Sequence, residues 1–340
     1  MKNNLKYRKK KLVFIDFTYL HHKGTHGGYQ HIKDYLPYDY IIDCQKWFEI
    51  SYREITTITK RIQSKVVRIF PLFILKCIGL SLMHRDIVFH FAYTENLFVP
   101  MIKLLPKRAK IVCTIHQPYN WFSRSWLVRL KRADKIILVG NTEIYKFQKV
   151  FPNNKVIFIP HGIDTTFYHP SERKTNDKLS LLTVGNWLRD YAFANEVYKE
   201  LLSKYSNVEI NIVASCVTKK DFVKDDRIHV WRGVPDDKLR ELYQKSNCLF
   251  LPLKRFTANN ALLEAASCGC NILIASNHND NSYIPEKYIH TCTLEQSACV
   301  KEICSIITST SANSALRQYV IDHYDWKKIG QITRNILLNV

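Results

Sequence analysis

A buried strand and a helix meet in the segment Cys248-Leu-Phe-Leu-Pro-Leu-Lys-Arg-Phe-Thr-Ala-Asn-Asn-Ala-Leu-Leu-Glu-Ala-Ala-Ser-Cys-Gly-Cys270. Its apolar start predicts the strand, and Asn259 or Asn260 would make a good N-cap for the helix. The first backbone N–H groups of such a helix favour a phosphate. Glu264 falls slightly more than one turn inside this otherwise apolar helix. Its carboxylate needs a partner there, and either the hydroxyls of a ribose or the neighbouring backbone would serve.

Strand and helix patterns alternate on both sides of this segment, which is typical of a parallel α/β protein. A polar stretch at 171–178 interrupts the alternation and indicates a linker. We therefore expect a first domain over 1–170, a second over 179–322 and a C-terminal helix over 323–340 that returns to the first domain. The predicted strands are 11–17, 40–44, 86–91, 110–115, 135–139, 155–159, 179–184, 208–214, 227–231, 248–253 and 271–275.

Two doubly wound, Rossmann-like sheets in tandem turn the carboxyl ends of their strands toward a shared cleft, where ligands bind. A cleft between the domains is thus the expected active site. Within a chain of 340 residues, each of the two domains is long enough to bury its own core.

Several motifs, in order along nearly the whole chain, resemble those of the retaining GT-B glycosyltransferases of group 1, which are family 4-like. The donor-binding region of that family is similar to the string from Gly233-Val-Pro-Asp-Asp-Lys-Leu-Arg-Glu-Leu-Tyr to Leu262-Leu-Glu-Ala-Ala-Ser-Cys-Gly-Cys270. Supporting matches are Phe158-Ile-Pro-His-Gly-Ile-Asp164, Leu182-Thr-Val-Gly-Asn-Trp-Leu-Arg-Asp190 and the terminal Tyr324-Asp-Trp326. The resemblance implies the GT-B fold and sugar transfer from a nucleotide donor.

The resemblance also implies roles for residues of the second domain. Glu264 would hold the ribose of the donor, and the helix start at Asn259, Asn260 and Ala261 would approach the diphosphate. Gly185 opens the loop in which Arg189 would neutralise the leaving diphosphate. Gly233 and Val234 are candidates for recognising the base through their backbone, although a plain turn is an equal alternative.

This sequence departs from the family pattern at two places. Phe256 stands eight residues before Glu264, where the family often has a second glutamate that contacts the donor sugar. Asn259 or Asn260 could supply that contact instead. No lysine follows Arg189 at the usual spacing, and Lys254 or Arg255 could compensate for it.

In the first domain, Gly27 and Gly28 lie in a loop after the first strand and permit a close backbone approach to a ligand. The resemblance places such a loop beside the donor phosphate and the acceptor. His116 follows the end of a buried strand, and the resemblance suggests that it contacts the transferred sugar. The alternative is a histidine satisfied by neighbouring loop backbone.

Sugar transfer of this kind needs stabilisation of the charge that develops on the departing diphosphate. The helix start at 259–261 and Arg189 would provide it, so we expect no metal and no other cofactor. No Asp-x-Asp motif of a metal-dependent transferase occurs, and Cys268 and Cys270 have no second ligand pair at zinc-like spacing. The expected activity is that of a hexosyltransferase that builds a cell-surface polysaccharide or lipooligosaccharide on a glycan or lipid-linked acceptor.

Charge is concentrated in the first half of the chain. The first 170 residues hold 28 of the 50 Lys and Arg but only 11 of the 30 Asp and Glu, a net charge of +17 against +3 for the rest. Such asymmetry indicates an anionic partner. Two basic clusters could dock on an anionic membrane, one with Arg61, Lys65 and Arg68 and one over 121–132. An ordinary amphipathic helix packed on the sheet is an equal alternative for each cluster.

We therefore expect a cytoplasmic protein that is peripheral on the inner face of the membrane. Ten scattered cysteines without a signal peptide agree with a reducing compartment. A basic nucleic-acid-binding protein is an alternative function, although no nucleic-acid-binding motif is present and no nucleic acid is expected as partner. A sugar-nucleotide epimerase, which shares the two-domain form, is another.

Overall fold

We analysed a computed structural model of the chain. It describes residues 10–19, 22–44, 73–97, 100–171, 179–255, 259–277, 283–307 and 312–340. Residues 172–178 of the expected linker lie outside this set, as do Phe256 and the basic cluster at Arg61, Lys65 and Arg68. The predictions made for those residues therefore stay predictions.

The chain divides into two compact units. The first takes its described residues from Met1–Lys23, Gly28–Pro160 and Ile329–Val340, and the second from Gly24–Gly27 and His161–Lys328. The end of the C-terminal helix thus belongs to the first unit.

The N-terminal part of the first unit ends at Pro160, ten residues before the expected boundary at 170. The reason is packing, because Ile163 and Tyr168 are buried in a core of the second unit. The backbone of Tyr168 is held there as well, since its carbonyl accepts a hydrogen bond of 2.6 Å from Ser267 Oγ. The boundary at 170 was predicted from the polar linker that follows it. Residues 161–170 nevertheless belong to the second unit, because side chains among them are buried in its core.

The first unit is built on a parallel sheet of six strands in the order β2-β1-β3-β4-β5-β6. Its strands are β1 (Lys11–Asp16), β2 (Tyr40–Asp43), β3 (Ile87–Phe91), β4 (Lys110–Ile115), β5 (Lys135–Leu138) and β6 (Val156–Phe158). Its helices are α1 (Ile32–Tyr35), α2 (Phe73–Met83), α3 (Thr94–Leu97), α4 (Arg124–Leu130) and α5 (Ile144–Gln148). All five residues of β3 are buried, as expected for a central strand with both faces covered.

The second unit contains another parallel sheet of six strands, in the order β12-β11-β10-β7-β8-β9. Its strands are β7 (Leu179–Val184), β8 (Val208–Val213), β9 (Ile228–Trp231), β10 (Cys248–Pro252), β11 (Asn271–Ala275) and β12 (His290–Cys292). The helices that follow in this part of the chain are α6 (Tyr191–Lys204), α7 (Asp236–Lys245), α8 (Asn260–Ser267), α9 (Gln296–Ile307), α10 (Ser314–Tyr324) and α11 (Trp326–Leu338).

Alternate residues of the second sheet belong to two different cores. In β10, Leu249 and Leu251 pack with α7, α8 and α10, whereas Cys248 and Phe250 pack with α6 and α9. This alternation follows from the two-residue period of a strand. Helices therefore cover both faces, and the predicted fold class of two Rossmann-like α/β domains is confirmed.

Among the described residues, no helix combines the length and the apolar character that crossing a bilayer requires.

Candidate active site

The second sheet changes direction between β7 and β10. The chain runs from β7 outward to β8 and β9, and then returns to the other side of β7 with β10, β11 and β12. In open α/β sheets, ligands bind outside the carboxyl ends of the strands at such a switch point. The loops that follow β7 and β10 are therefore the expected ligand-binding loops of this unit.

Arg189 lies in the loop after β7, and its guanidinium is held by three oxygens. Nε donates to the carbonyl of Val184 at 2.9 Å and Nη1 to the carbonyl of Trp187 at 2.9 Å. Nη2 donates to the amide oxygen of Asn259 at 3.0 Å. The backbone of Arg189 also pairs with Leu253, the residue after β10. The side chain is thus fixed between the two loops of the switch point.

The positive charge of Arg189 is not neutralised by these contacts. All three acceptors are uncharged, and within the described ranges no carboxylate forms an ion pair with Arg189. Burial lowers the pKa of the guanidinium, although an arginine still remains protonated at neutral pH. A partly buried cation held only by uncharged oxygens favours an anionic ligand.

The N-terminus of α8 is found at the same place. Asn259 is its N-cap, and the oxygen that receives Arg189 also accepts the backbone N–H of Leu262 at 3.4 Å. All residues of the helix after Asn260 are buried, and apart from Glu264 and Ser267 they are apolar, as expected for a helix enclosed on all sides. The predicted N-cap is thus Asn259 rather than Asn260. The side chain of Asn259 therefore contacts both the guanidinium of Arg189 and the N-terminus of α8, which is the positive end of the helix dipole.

The loop after β7 needs a glycine at position 185. Gly185 has a φ of +108°, and a Cβ there would lie 2.9 Å from Nη2 of Arg189. Leu188 in the same loop has a φ of +58°, which residues other than glycine rarely adopt. Backbone strain of this kind clusters at functional sites.

Glu264 lies one turn inside α8 and is only 6% exposed. One carboxylate oxygen accepts a hydrogen bond of 2.8 Å from the hydroxyl of Tyr243. Burial raises the pKa of Glu264 to about 7, the charge of Asp236 adds to this rise, and hydrogen bonds from Tyr243 and Tyr168 oppose it. The two tyrosines were not found from the sequence, because they lie on other elements.

The remaining donor-site candidates of the second unit lie at different strand ends. Lys254 is exposed, and its backbone N–H bonds to the carbonyl of Leu188, so it sits beside the Arg189 loop. Gly233 and Val234 follow β9, which is two strands away from β7. A Cβ on Gly233 would meet no atom within 4 Å, so its φ of +60° is the property that requires glycine.

The two candidate glycines of the loop after β1, Gly27 and Gly28, are assigned to different units. Gly28 belongs to the first unit, has a φ of +97°, and precedes a short 3-10 turn at Tyr29–His31. Gly27 is counted with the second unit. Its neighbour His26 stacks on Phe167 with ring centroids 3.6 Å apart, and His26 Nδ1 lies 3.0 Å from Asp164 Oδ2.

His116 follows β4 in the first unit. Its ring stacks on Tyr93 with centroids 4.3 Å apart, and its Nδ1 lies 3.3 Å from Oε1 of Glu95. Glu95 was missed from the sequence. The signal that could have found it is its place four residues after β3, at the same edge of the sheet as His116.

In the part of the chain that the structure describes, no three His, Cys, Asp or Glu side chains come together in a way that could hold a metal ion. None of the ten cysteines is in a disulfide.

Comparison with known proteins agrees with this architecture. Residues 52–167 match the family described as Glycosyltransferase Family 4. No curated protein matches the sequence. A structure of Anabaena Alr3699/HepE in complex with UDP and glucose is 13% identical, with a TM-score of 0.70 over 98% of this chain and 100% of that one.

Two further solved structures have similar values. A glycosyltransferase from Rickettsia africae is 12% identical, with a TM-score of 0.69 over 98% of this chain and 99% of its own. Sucrose-phosphate synthase from Thermosynechococcus elongatus is 14% identical, with a TM-score of 0.65 over 98% of this chain and 100% of its own. The chain therefore has the fold of the GT-B glycosyltransferases over nearly its whole length, and its residues 52–167 match Glycosyltransferase Family 4.

Proposed function

We propose that this protein is a glycosyltransferase that takes a sugar from a nucleoside-diphosphate donor bound to the second unit. The observation that carries the proposal is the uncompensated guanidinium of Arg189, hydrogen-bonded to the N-cap of α8 at the switch point of the sheet. Two positive features side by side are unfavourable without an anion. A diphosphate carries the charge and the oxygen acceptors that suit both of them.

Glu264 is proposed to bind the ribose of the donor. Its carboxylate is buried one turn beyond the phosphate-facing end of α8 and has Tyr243 as partner. Ribose hydroxyls would donate to it, and these added hydrogen bonds favour the ionised form. Gly233 and Val234, at the end of β9, are proposed to contact the base.

Stabilisation of the leaving group supplies the catalysis in this proposal. As the bond between the sugar carbon and the diphosphate oxygen breaks, negative charge grows on the diphosphate. Arg189 and the N-terminus of α8 are already held in place by their own hydrogen bonds, so they would stabilise this charge without reorganising. Lys254 lies beside the same loop and would add a further cation. No metal is needed for this step.

The acceptor hydroxyl is proposed to attack from the face that the diphosphate leaves. Its oxygen bonds to the sugar carbon, and its proton passes to the departing diphosphate, so the anomeric configuration is retained. His116 is proposed to contact the sugar during this step. UDP and glucose are bound in the Anabaena structure, so UDP-sugars are the first donors to test.

The acceptor is proposed to be a glycan or a lipid-linked glycan at an anionic membrane, in cell-surface polysaccharide or lipooligosaccharide synthesis. Support comes from the net charge of +17 in the first 170 residues. Around α4, Trp121 is 57% and Val128 54% exposed, beside the exposed Arg124 and Lys131. Apolar side chains among cations are what a peripheral helix presents to an anionic lipid surface.

Isothermal titration with a panel of UDP-, GDP- and ADP-sugars tests this function. We expect one nucleotide series to bind and its sugar to be released slowly to water or transferred to an acceptor. If no member of the panel binds above background, the proposal is wrong. If the donor sugar is converted in the absence of any acceptor and stays on the nucleotide, the protein is an epimerase.

A further inference from the structure

Glu95 and His116 meet at the carboxyl edge of the first sheet. Glu95 lies in α3, which follows β3, and His116 comes directly after β4, the strand beside β3. The first sheet changes direction between β1 and β3, so both residues lie next to its switch point. This is the edge at which ligands bind in such sheets.

The imidazole of His116 is held in one orientation by its surroundings. It stacks on Tyr93, and the ring of Tyr29 meets it edge-on with centroids 5.0 Å apart. The side chain of Glu95 is 3% exposed and that of His116 is 12% exposed. Both are therefore largely withdrawn from water, with Nδ1 of the histidine turned toward the carboxylate.

These two residues and Gln117 hold buried polar atoms that make no hydrogen bond. Among the described residues, none makes a hydrogen bond with either carboxylate oxygen of Glu95, either ring nitrogen of His116, or Oε1 of Gln117. A buried polar atom without a hydrogen bond destabilises the folded protein. Several in one place point to a ligand that completes them.

The unpaired atoms define the chemistry of that ligand. A carboxylate facing Nδ1 favours a proton on that nitrogen, which leaves Nε2 as a hydrogen-bond acceptor. Because Glu95 faces Nδ1, the acceptors left for a ligand are Nε2 of His116 and Oε1 of Gln117. Their complement is a molecule with several hydroxyl donors, which is a sugar.

We propose that Glu95 is a positioning residue that orients His116, so that His116 and Gln117 can bind a sugar through its hydroxyl groups. The inference rests on the proposed function, because it takes the reaction to be sugar transfer. The residues that would contact the sugar all belong to the first unit. The separation of 3.3 Å between Nδ1 and Oε1 shortens to a full hydrogen bond when the sugar is present, as in other sites that tighten on binding.

The first test compares the kinetics of Glu95→Gln with those of the unchanged protein. The amide keeps the shape of the side chain but lacks the charge that orients the ring. We expect kcat to fall about 10- to 100-fold, which is the loss found when a metal-binding histidine loses its orienting carboxylate, while the affinity for the nucleoside diphosphate stays the same. Glu95→Asp should recover part of kcat. Unchanged kcat in Glu95→Gln would overturn the inference.

A matched control exists in the same unit. Asp34 faces Nδ1 of His31 at 3.2 Å in a similar pair, but its side chain is 57% exposed. Asp34→Asn should leave kcat unchanged. Circular dichroism and thermal unfolding of all variants show whether a loss reflects misfolding.

Two arms identify the source of the sugar. Hydrolysis of the donor without acceptor falls in Glu95→Gln if the bound sugar is that of the donor. Only the transfer rate and the KM for the acceptor change if it is the acceptor.

A final measurement separates this inference from the proposed function. In histidine-labelled protein, the NMR signals of the His116 ring, identified by their loss in His116→Asn, should move when the sugar or sugar nucleotide is added. They should move less in Glu95→Gln. If nucleotides bind and the His116 signals stay unchanged with every sugar, the inference fails and the proposed function stands. If no nucleotide binds but sugars move the His116 signals, the proposed function is wrong and the inference stands.

Discussion

Arg189 and Asn259 are joined by a hydrogen bond of 3.0 Å although 70 residues separate them in the chain. One side-chain oxygen of Asn259 therefore caps α8 and fixes the guanidinium of Arg189. The contact brings a full positive charge to the positive end of a helix dipole. The site is thus prepared for an anion before any ligand arrives, and this arrangement is the basis of the proposed function.

Gly185→Ala should displace Arg189. The new Cβ would lie 2.9 Å from Nη2, and alanine tolerates a φ of +108° poorly. We expect a loss of about 1–3 kcal/mol in the free energy of unfolding and weaker nucleotide binding. Urea unfolding and titration calorimetry measure the two effects.

Gly79→Ala is the matched control for this variant. Gly79 lies inside α2, where a Cβ would have nothing within 4 Å. Alanine should stabilise that helix by up to about 1 kcal/mol. Equal effects of the two substitutions would contradict the role given to Gly185.

The stability of the ligand-free protein should depend on Glu264 between pH 4.5 and 7. Burial raises its pKa in the folded state to about 7 from 4.5, so the folded state binds more protons than the unfolded state in this range. The contribution is complete below pH 4.5 and is lost as the pH rises through 7. The loss is on the order of 3 kcal/mol.

Glu264→Gln keeps an oxygen for the hydroxyl of Tyr243 but cannot ionise. The free energy of unfolding from urea titrations at pH 5 and pH 7.5 should differ less in this variant than in the unchanged protein. Glu196→Gln, on an exposed ion pair with Lys199, serves as control. The same pH dependence in all three proteins would show that Glu264 is not the group responsible.

The basic surface around α4 should bind anionic lipid. Vesicles with phosphatidylglycerol should co-sediment with the protein, and vesicles of phosphatidylcholine alone should not. Replacing Trp121 and Arg124 together by serine should weaken the binding at least about fivefold, since each cation near such a surface contributes about 1 kcal/mol.

Ile41→Ser is a suitable control for this surface, because Ile41 is an exposed apolar side chain on β2. It should bind vesicles as the unchanged protein does. Binding that is insensitive to the double substitution and to salt would exclude this surface as the docking site.

The strands could be predicted closely from the sequence because buried parallel strands are short, continuous apolar runs. All eleven predicted strands are present, each within one residue at either end. The strand β12 was missed, because His290–Cys292 is three residues long, polar and largely exposed. It is identified only by its pairing with β11.

The sequence also predicts some features of the candidate site and misses others. The cap at Asn259 and the burial of Glu264 follow from local spacing, and the structure has both. The partners of the site residues could not be predicted, because the order of strands in the sheets brings them together. The pairs are Arg189 with Asn259, Tyr243 with Glu264, and Glu95 with His116. Local patterns carry no information about contacts over such separations.

The most direct test of the diphosphate site compares the binding of a nucleoside diphosphate with that of its parent nucleoside. Titrations use the unchanged protein, Arg189→Ala, and Lys199→Ala as a charge-matched control on the exposed face of α6. Arg189→Ala should weaken the diphosphate about 10- to 100-fold, the value of one or two charge-assisted hydrogen bonds, and leave the nucleoside unaffected. Unchanged affinity for the diphosphate, or equal losses for both ligands, would contradict the account.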